Sequence, residues 1–358
     1  MSRKLSQELV CAMAVVGLCA MSAQEEAAAQ NASGAAARVA AKPASANDEI
    51  KIWPIRRNVF MLVGDGANVV VQTEPPKDEE NYDGSYGRDT GILVIDSGNT
   101  AMSAQLVEAI GKLSSGPIRY IINTSADPDH VGGNNALAKV SGGIVKGALG
   151  GKPAGEPLMI LAHETVLAQM SAPSGQQAAY PLEAWPTDVF TRGKDVFFNG
   201  GSVRILHQPS AHTEGDSFVH LRRSDVIAAG EIFSTVNFPK LDLAHGGHIQ
   251  GVVESLNRLL DLAVPGEMEQ GGTMIVPAYG RVSDAADVEF YREMVQIVRD
   301  RIQDGVKHGM TLAQVKSARP VLEYEKRYSQ PEWTTDMFVE AVYNDLSQAA
   351  KSKAPGKK

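Results

Sequence analysis

Residues 121–134 read Ile-Ile-Asn-Thr-Ser-Ala-Asp-Pro-Asp-His-Val-Gly-Gly-Asn. An apolar run breaks into a polar turn, and Asp127, Asp129 and His130 then fall within four positions of one another. The Pro128 ring fixes the chain's path between the two aspartates, which helps both carboxylates point into one pocket. Gly132 and Gly133 allow a tight turn after them, with a short helix expected through residue 138. The run of residues 118–122 is read as a strand that delivers this polar loop to a site.

The rest of the chain is ordinary globular material. Its 358 residues are 43% hydrophobic and 21% charged, enough for a large core in one or two domains. A net charge of −8 argues against nucleic acid as a partner and favours a small-molecule substrate. The N-terminus has a separate character. Arg3 and Lys4 precede an uncharged apolar stretch over residues 9–21, too short for a membrane-spanning helix. Ala27-Ala28-Ala29 follows as an A-x-A cleavage site, with Ala20-Met21-Ser22 as a second. Residues 1–29 are therefore expected to be a secretory signal peptide, and the mature protein to be periplasmic or secreted with no stable membrane insertion. Both cysteines, Cys11 and Cys19, lie inside this segment, so the mature chain should hold neither a disulfide nor a thiolate ligand. Residues 30–50 read as a flexible, Ala-rich leader.

From residue 51 the pattern becomes strand-rich. Runs at 59–63 and 68–72 flank Gly64-Asp65-Gly66 as a hairpin, and the polar stretch 73–88 reads as a surface insertion. A strand over 91–95 ends in Asp96-Ser97-Gly98. Residues 101–113 carry apolar positions at helical spacing, and 141–157 form a Gly-rich exposed loop. A second strand-rich half begins near Asp188, and the spacing predicts a helix over 249–262 and amphipathic helices over 285–303, 312–316 and 335–346. The order of strand-rich, helix, strand-rich, helix predicts an α/β (α+β) fold, a four-layer αββα sandwich of two mixed β-sheets. The expected boundaries are a domain over 51–305 and a C-terminal helical extension over 306–358.

Several separated segments, in order, resemble those of the metallo-β-lactamase superfamily. The loop at 124–134 is similar to its Thr-His-x-His-x-Asp-His-x-Gly-Gly-Asn motif, with Asp129, His130, Gly132, Gly133 and Asn134 matching and Ser125 and Asp127 standing for two histidines. Pro209-Ser210-Ala211-His212-Thr213-Glu214-Gly215 is similar to the loop that supplies another histidine ligand, matched by His212. Gly230-Glu231-Ile232-Phe233 is similar to the Gly-Asp-x-x-Phe strand end, with Glu231 keeping the bridging carboxylate. Pro277-Ala278-Tyr279-Gly280 looks like Pro-Gly-His-Gly, with Tyr279 in place of the last histidine.

The resemblance implies a divalent metal that activates water against a small ester, amide, lactone or phosphoester. Its ligands would be Asp127, Asp129, His130, His212 and Glu231, with Asp129 also the catalytic candidate. Ser125, Tyr279, His245 and His248 are further candidates for ligation or substrate binding, and Asp216 for orienting His212. Zinc is the family's metal. The loss of three imidazoles moves the donor set towards oxygen, which suits manganese or iron and leaves one ion, two, or none open. Two other readings stay open beside the hydrolase: a pseudoenzyme that binds a small ligand, and an iron-dependent oxidoreductase. The four-residue substitution pattern makes β-lactamase activity itself an unfavoured reading.

Overall fold

The computed structural model describes residues 49–76, 90–141, 157–171, 178–268 and 271–353. The expected signal peptide at 1–29, nearly all of the leader, most of the 73–88 insertion and the Gly-rich loop after residue 141 lie outside the described residues.

Two mixed sheets form the centre. The first has seven strands in sequence order: β1 (Lys51–Arg56), β2 (Val59–Val63), β3 (Val69–Gln72), β4 (Ile92–Ile95), β5 (Ile118–Ile122), β6 (Met159–His163) and β7 (Asp188–Phe190). Its first four strands pair antiparallel and β4 to β7 pair parallel. The second holds β8 (Gly193–Phe198), β9 (Gly201–His207), β10 (Ser217–Leu221), β11 (Val226–Ala228) and β12 (Met274–Val276), antiparallel except for the β11–β12 pair.

Alternation along the strands sets the layers. Met61, Val70, Leu93, Ile95, Ile122 and Leu161 meet Phe198, Val203, Ile205, Val219, Ala228 and Val276 in a core between the sheets. Their neighbours Leu62, Val71, Val94, Ile121 and Ile160 point the other way, against Leu106, Ala109 and Ile110 of α1 (Ser103–Leu113). Beyond it the chain forms the one-turn α2 (Pro128–Val131), α3 (Asn134–Val140) and α4 (Glu164–Met170). On the second sheet Phe218, Ile227 and Ile275 face outward onto α5 (Ile249–Leu262) and α6 (Ala285–Lys307). Strands buried on both faces explain why the sequence shows continuous apolar runs there in place of alternation. The result is helix, sheet, sheet, helix, the expected four-layer sandwich.

The helices α7 (Leu312–Ser317), α8 (Glu325–Tyr328) and α9 (Thr335–Lys353) contribute Val315, Tyr328, Phe338 and Val342 to the same outer core as α5 and α6. The C-terminal segment is thus part of the fourth layer. Among the described residues no helix is long and apolar enough to cross a membrane.

The Gly132-Gly133 pair is needed for a reason other than the tight turn expected of it. Both residues have ordinary right-handed φ values, −61° and −86°. What demands glycine is close approach. A Cβ on Gly133 would lie 2.2 Å from the Ser97 carbonyl oxygen, and one on Gly132 2.5 Å from the Thr100 nitrogen. Gly111, on the exposed side of α1, has open space around it. Gly133→Ala is expected to destabilise the fold by about 1–3 kcal/mol in urea unfolding, the cost of overpacking. Gly111→Ala should instead stabilise it by about 0.4–1 kcal/mol. Equal effects at the two positions would contradict the close-approach account.

Candidate functional site

The residues that follow β4, β5, β11 and β12 meet the β9–β10 loop at one rim of the sandwich. Asp96 leaves β4 with φ of +60°, a conformation Asp adopts more readily than most residues with a Cβ. Its carboxylate accepts from the Thr124 backbone N–H at 2.8 Å, the Thr124 hydroxyl at 2.7 Å and His130 Nδ1 at 2.9 Å. Asp96 therefore orients the β5 loop and its histidine. His130 is held from its backbone as well, since its carbonyl oxygen accepts from the Ser97 N–H at 2.7 Å. Asn134 braces the same turn, donating to Asn123 Oδ1 at 2.8 Å and to the Ala184 carbonyl at 3.0 Å.

The ligand-type residues converge. His130 Nε2 lies 3.1 Å from Glu231 Oε2, and His212 Nε2 lies 3.0 Å from Asp127 Oδ2. Glu231 reaches this position because Gly230 takes φ of +55° and packs against Thr124, where a Cβ would come within 2.7 Å of the Thr124 hydroxyl. Tyr279 follows β12 and is held by a bridge to Ser234, and its hydroxyl donates to the Asp129 carboxylate. Asp127, Asp129, His130, His212, Glu231 and Tyr279 thus gather in one side-chain cluster. Ser125 is fully buried beside them, and its hydroxyl accepts from the Asp127 N–H at 3.1 Å, so it shapes the loop.

Of the remaining sequence candidates, Asp216 is buried beside His212, while His245 and His248 make local bonds of their own. His245 is exposed and pairs with Asp242 at 2.6 Å, in a turn whose geometry is set by Asp242 accepting from the Ala244 and His245 N–H groups. His248 accepts from the Gln250 N–H at the start of α5 and lies 3.0 Å from Asp345 of α9. Its ring is thus engaged in capping α5 and in the contact with α9. Asp216 accepts from the Thr213 N–H at 2.7 Å and hydroxyl at 3.1 Å, whereas His212 Nδ1 donates to the Lys240 carbonyl at 3.2 Å. The partner that orients His212 is therefore the backbone of Lys240.

Lys240 is the residue that motif reading passed over. Its Nζ lies 2.9 Å from Glu231 Oε1 and 3.0 Å from the Tyr279 hydroxyl, and 4.6 Å from the centre of the Tyr279 ring. Phe238, two residues earlier, is buried and stacked on Phe338 at 4.7 Å, which anchors the segment. The one signal in the sequence was charge: Lys240 is the only Lys or Arg between Glu231 and Arg258.

The electrostatics follow from this packing. Burial works against charge on His130, but the Asp96 carboxylate and the bond to Glu231 raise its pKa well above the ordinary imidazole value. Burial opposes charge on His212 too, yet Asp127 lifts it to about 10. Asp127 is in turn held well below the usual carboxylate range by His212 despite its burial. Burial likewise opposes the Glu231 carboxylate, and Lys240 and His130 bring its pKa down. Lys240 is raised by Glu231, Asp129 and Asp127 against the burial that would lower it. Burial pushes Asp216 up to about 7.

A metal site would use these same atoms. Nitrogen–oxygen separations of 3.0–3.1 Å occur both in hydrogen-bonded pairs and between two ligands of one ion, so the His130–Glu231 and His212–Asp127 pairs do not by themselves discriminate. Lys240 does. Its ammonium is already bonded to Glu231, the carboxylate that would bridge or cap the ion, and to Tyr279, whose hydroxyl is bonded to Asp129. Among the described residues no three His, Cys, Asp or Glu side chains are arranged to hold a metal. The donor set as placed does not fit a divalent ion beside Lys240.

The His212 pKa carries a consequence for stability. Because it is raised from 6.5 to about 10 in the folded state, its contribution is fully present below pH 6.5 and is lost as pH rises through 10. The contribution of Asp216, raised from 3.8 to about 7, is lost over a lower window. Urea unfolding of the wild type should show stability falling from pH 7 towards 10, and His212→Gln should flatten part of that decline. An unchanged slope in the variant would contradict the pairing with Asp127.

Comparison with known proteins agrees with the architecture. The model of the metallo-beta-lactamase superfamily matches residues 86–267, and no curated protein matches the sequence. The stereoselective inverting sec-alkylsulfatase Pisa1 from Pseudomonas sp. is similar in structure at 12% identity and a TM-score of 0.54, over 86% of this chain and 52% of that one. The chain thus spans about half the length of the sulfatase. A metallo-beta-lactamase from Pontibacter korlensis is 13% identical over 69% of this chain and 99% of that one, with a TM-score of 0.48. With two mixed sheets in the four-layer order and a family match over half its length, the chain belongs to the metallo-beta-lactamase superfamily.

Proposed function

We propose that the pocket is a small-molecule site in which protein side chains alone hold the ligand, so that the chain is a binding member of a hydrolase-like fold. The observation that carries this reading is the pocket's two-level build. His130, Glu231 and Asp96 are almost fully buried and bonded to one another, while Lys240 and Asp127 keep 28% and 22% of their side chains exposed. Asp129 and Tyr279 are likewise partly exposed. The solvent-facing side of the cluster therefore offers an ammonium, a phenol and two carboxylates, able to donate to and accept from one small polar molecule.

A metal-dependent hydrolase is the second reading. The convergence of Asp127, Asp129, His130, His212 and Glu231 supports it, as do membership of the superfamily and the structural likeness to a sulfatase. Export to the periplasm or beyond is part of the proposal in either case, supported by the charged-then-apolar layout of residues 1–29.

A panel of carboxylate esters, lactones, β-lactams, phosphoesters and alkyl sulfate esters separates the two, with binding read by thermal shift and turnover read with and without chelator. Binding without chelator-sensitive turnover is expected, weakened about tenfold to a hundredfold by Tyr279→Phe or Asp129→Asn, the loss of a hydrogen bond to a charged group. Turnover that a chelator abolishes and an ion restores would overturn the binding reading in favour of the hydrolase.

A further inference from the structure

The geometry points to Lys240 as a built-in cation: its ammonium takes the place and the charge-balancing role that a divalent ion holds in a pocket of this donor set. It rests on the metal-free reading proposed above and concerns what keeps the cluster intact when nothing is bound.

Three observations carry it. First, the ammonium is bonded directly into the donor set. It contacts Glu231 at 2.9 Å and the Tyr279 hydroxyl at 3.0 Å, and Tyr279 passes the connection on to Asp129. Second, the residue's main chain is part of the same site, because its carbonyl accepts from His212 Nδ1 at 3.2 Å. The imidazole and the ammonium are therefore positioned by one segment. Third, that segment is fixed from behind. Trp333 Nε1 donates to the Pro239 carbonyl at 3.2 Å, the Asp242 N–H donates to the His212 carbonyl at 3.0 Å, and Phe238 is buried against Phe338. A lysine held this way at both ends differs from a surface lysine that has folded over a nearby acid.

The chemistry of the exchange is simple. An ammonium offers three donors and one positive charge, enough to bind carboxylate and phenol oxygens without a change in their protonation. It provides no vacant orbital for a water or a carbonyl oxygen, so it can hold such a pocket together without acting as a Lewis acid. Removing it would leave Glu231, Asp129 and Asp127 without their shared cation beside two imidazoles, donor types that suit a divalent ion once the freed side chains close around it.

The test uses the full chain, with metal counted per polypeptide and melting temperature followed during titration with Zn2+ and Mn2+ alone, and after treatment with chelator. The wild type is expected to hold no stoichiometric metal and to keep the same melting temperature with chelator or with either ion. Lys240→Met is expected to melt lower, and to regain several degrees as Zn2+ or Mn2+ saturates a single new site. A wild type that carries one or more ions per chain, and loses several degrees when they are removed, overturns the inference. So does a soluble Lys240→Met that binds neither ion. Should that variant not fold, the wild-type titration decides alone. Ligand binding to the panel above is a separate readout, so a metal found in the wild type and an absence of ligand binding are distinguishable failures.

Discussion

Four carboxylates crowd the rim of this sandwich, and their mutual repulsion is the constraint that the local structure has to answer. Asp96, Asp127, Asp129 and Glu231 come from three separate segments and meet in a largely buried space. Two like charges 4 Å apart repel by about 4 kcal/mol at an effective dielectric constant near 20, so ionised groups cannot be packed there uncompensated. The chain interleaves cations: His130 between Asp96 and Glu231, His212 against Asp127, and Lys240 between Glu231 and the Tyr279–Asp129 pair. Each histidine has an acceptor at both ring nitrogens, carboxylates for His130 and a carboxylate and a carbonyl for His212. That arrangement favours the charged imidazolium in each case.

Such a network depends on the sheets behind it. The parallel strands β4, β5, β11 and β12 all end at the rim, and their apolar residues are buried on both faces, so their ends cannot slide without disturbing two cores at once. Backbone contacts then set the finer geometry. Asp96 in a left-handed conformation aims its carboxylate at Thr124, and Gly230, also left-handed, lets the Glu231 turn settle on that same threonine. Thr124 is thereby one of the points where the two sheets' loops touch. A polar network this buried is rigid because every member is satisfied by another, and loosening one leaves a charge without its partner.

Much of this was legible in the sequence, for reasons particular to each residue. The two-sheet architecture followed from apolar runs of strand length and from loops recurring in a fixed order. The helix over residues 249–262 was readable from its spacing and matches its observed bounds. The residues Asp127, Asp129, His130, His212, Glu231 and Tyr279 could be named because each sits in a recognisable local motif. Lys240 has no such motif. Its importance comes from Glu231 and Tyr279, which are nine residues before it and thirty-nine after it, and only the fold brings them together. His245 and His248 show the complementary case. Their proximity in sequence to Glu231 and their mutual spacing resemble a ligand pair, but a turn at Asp242 and the start of α5 use both of them locally. The C-terminal helices likewise look like an appendage in sequence, and become part of the outer core through residues such as Val315, Tyr328, Phe338 and Val342.

The central claim is that an internal ammonium balances this pocket, and a crystal structure recorded across the zinc, iron and manganese absorption edges tests it most directly. The account predicts Lys240 Nζ within hydrogen-bonding distance of Glu231 and Tyr279, with no anomalous density between His130, His212 and the surrounding carboxylates. An anomalous peak there, with the Lys240 side chain turned out to solvent, would contradict it.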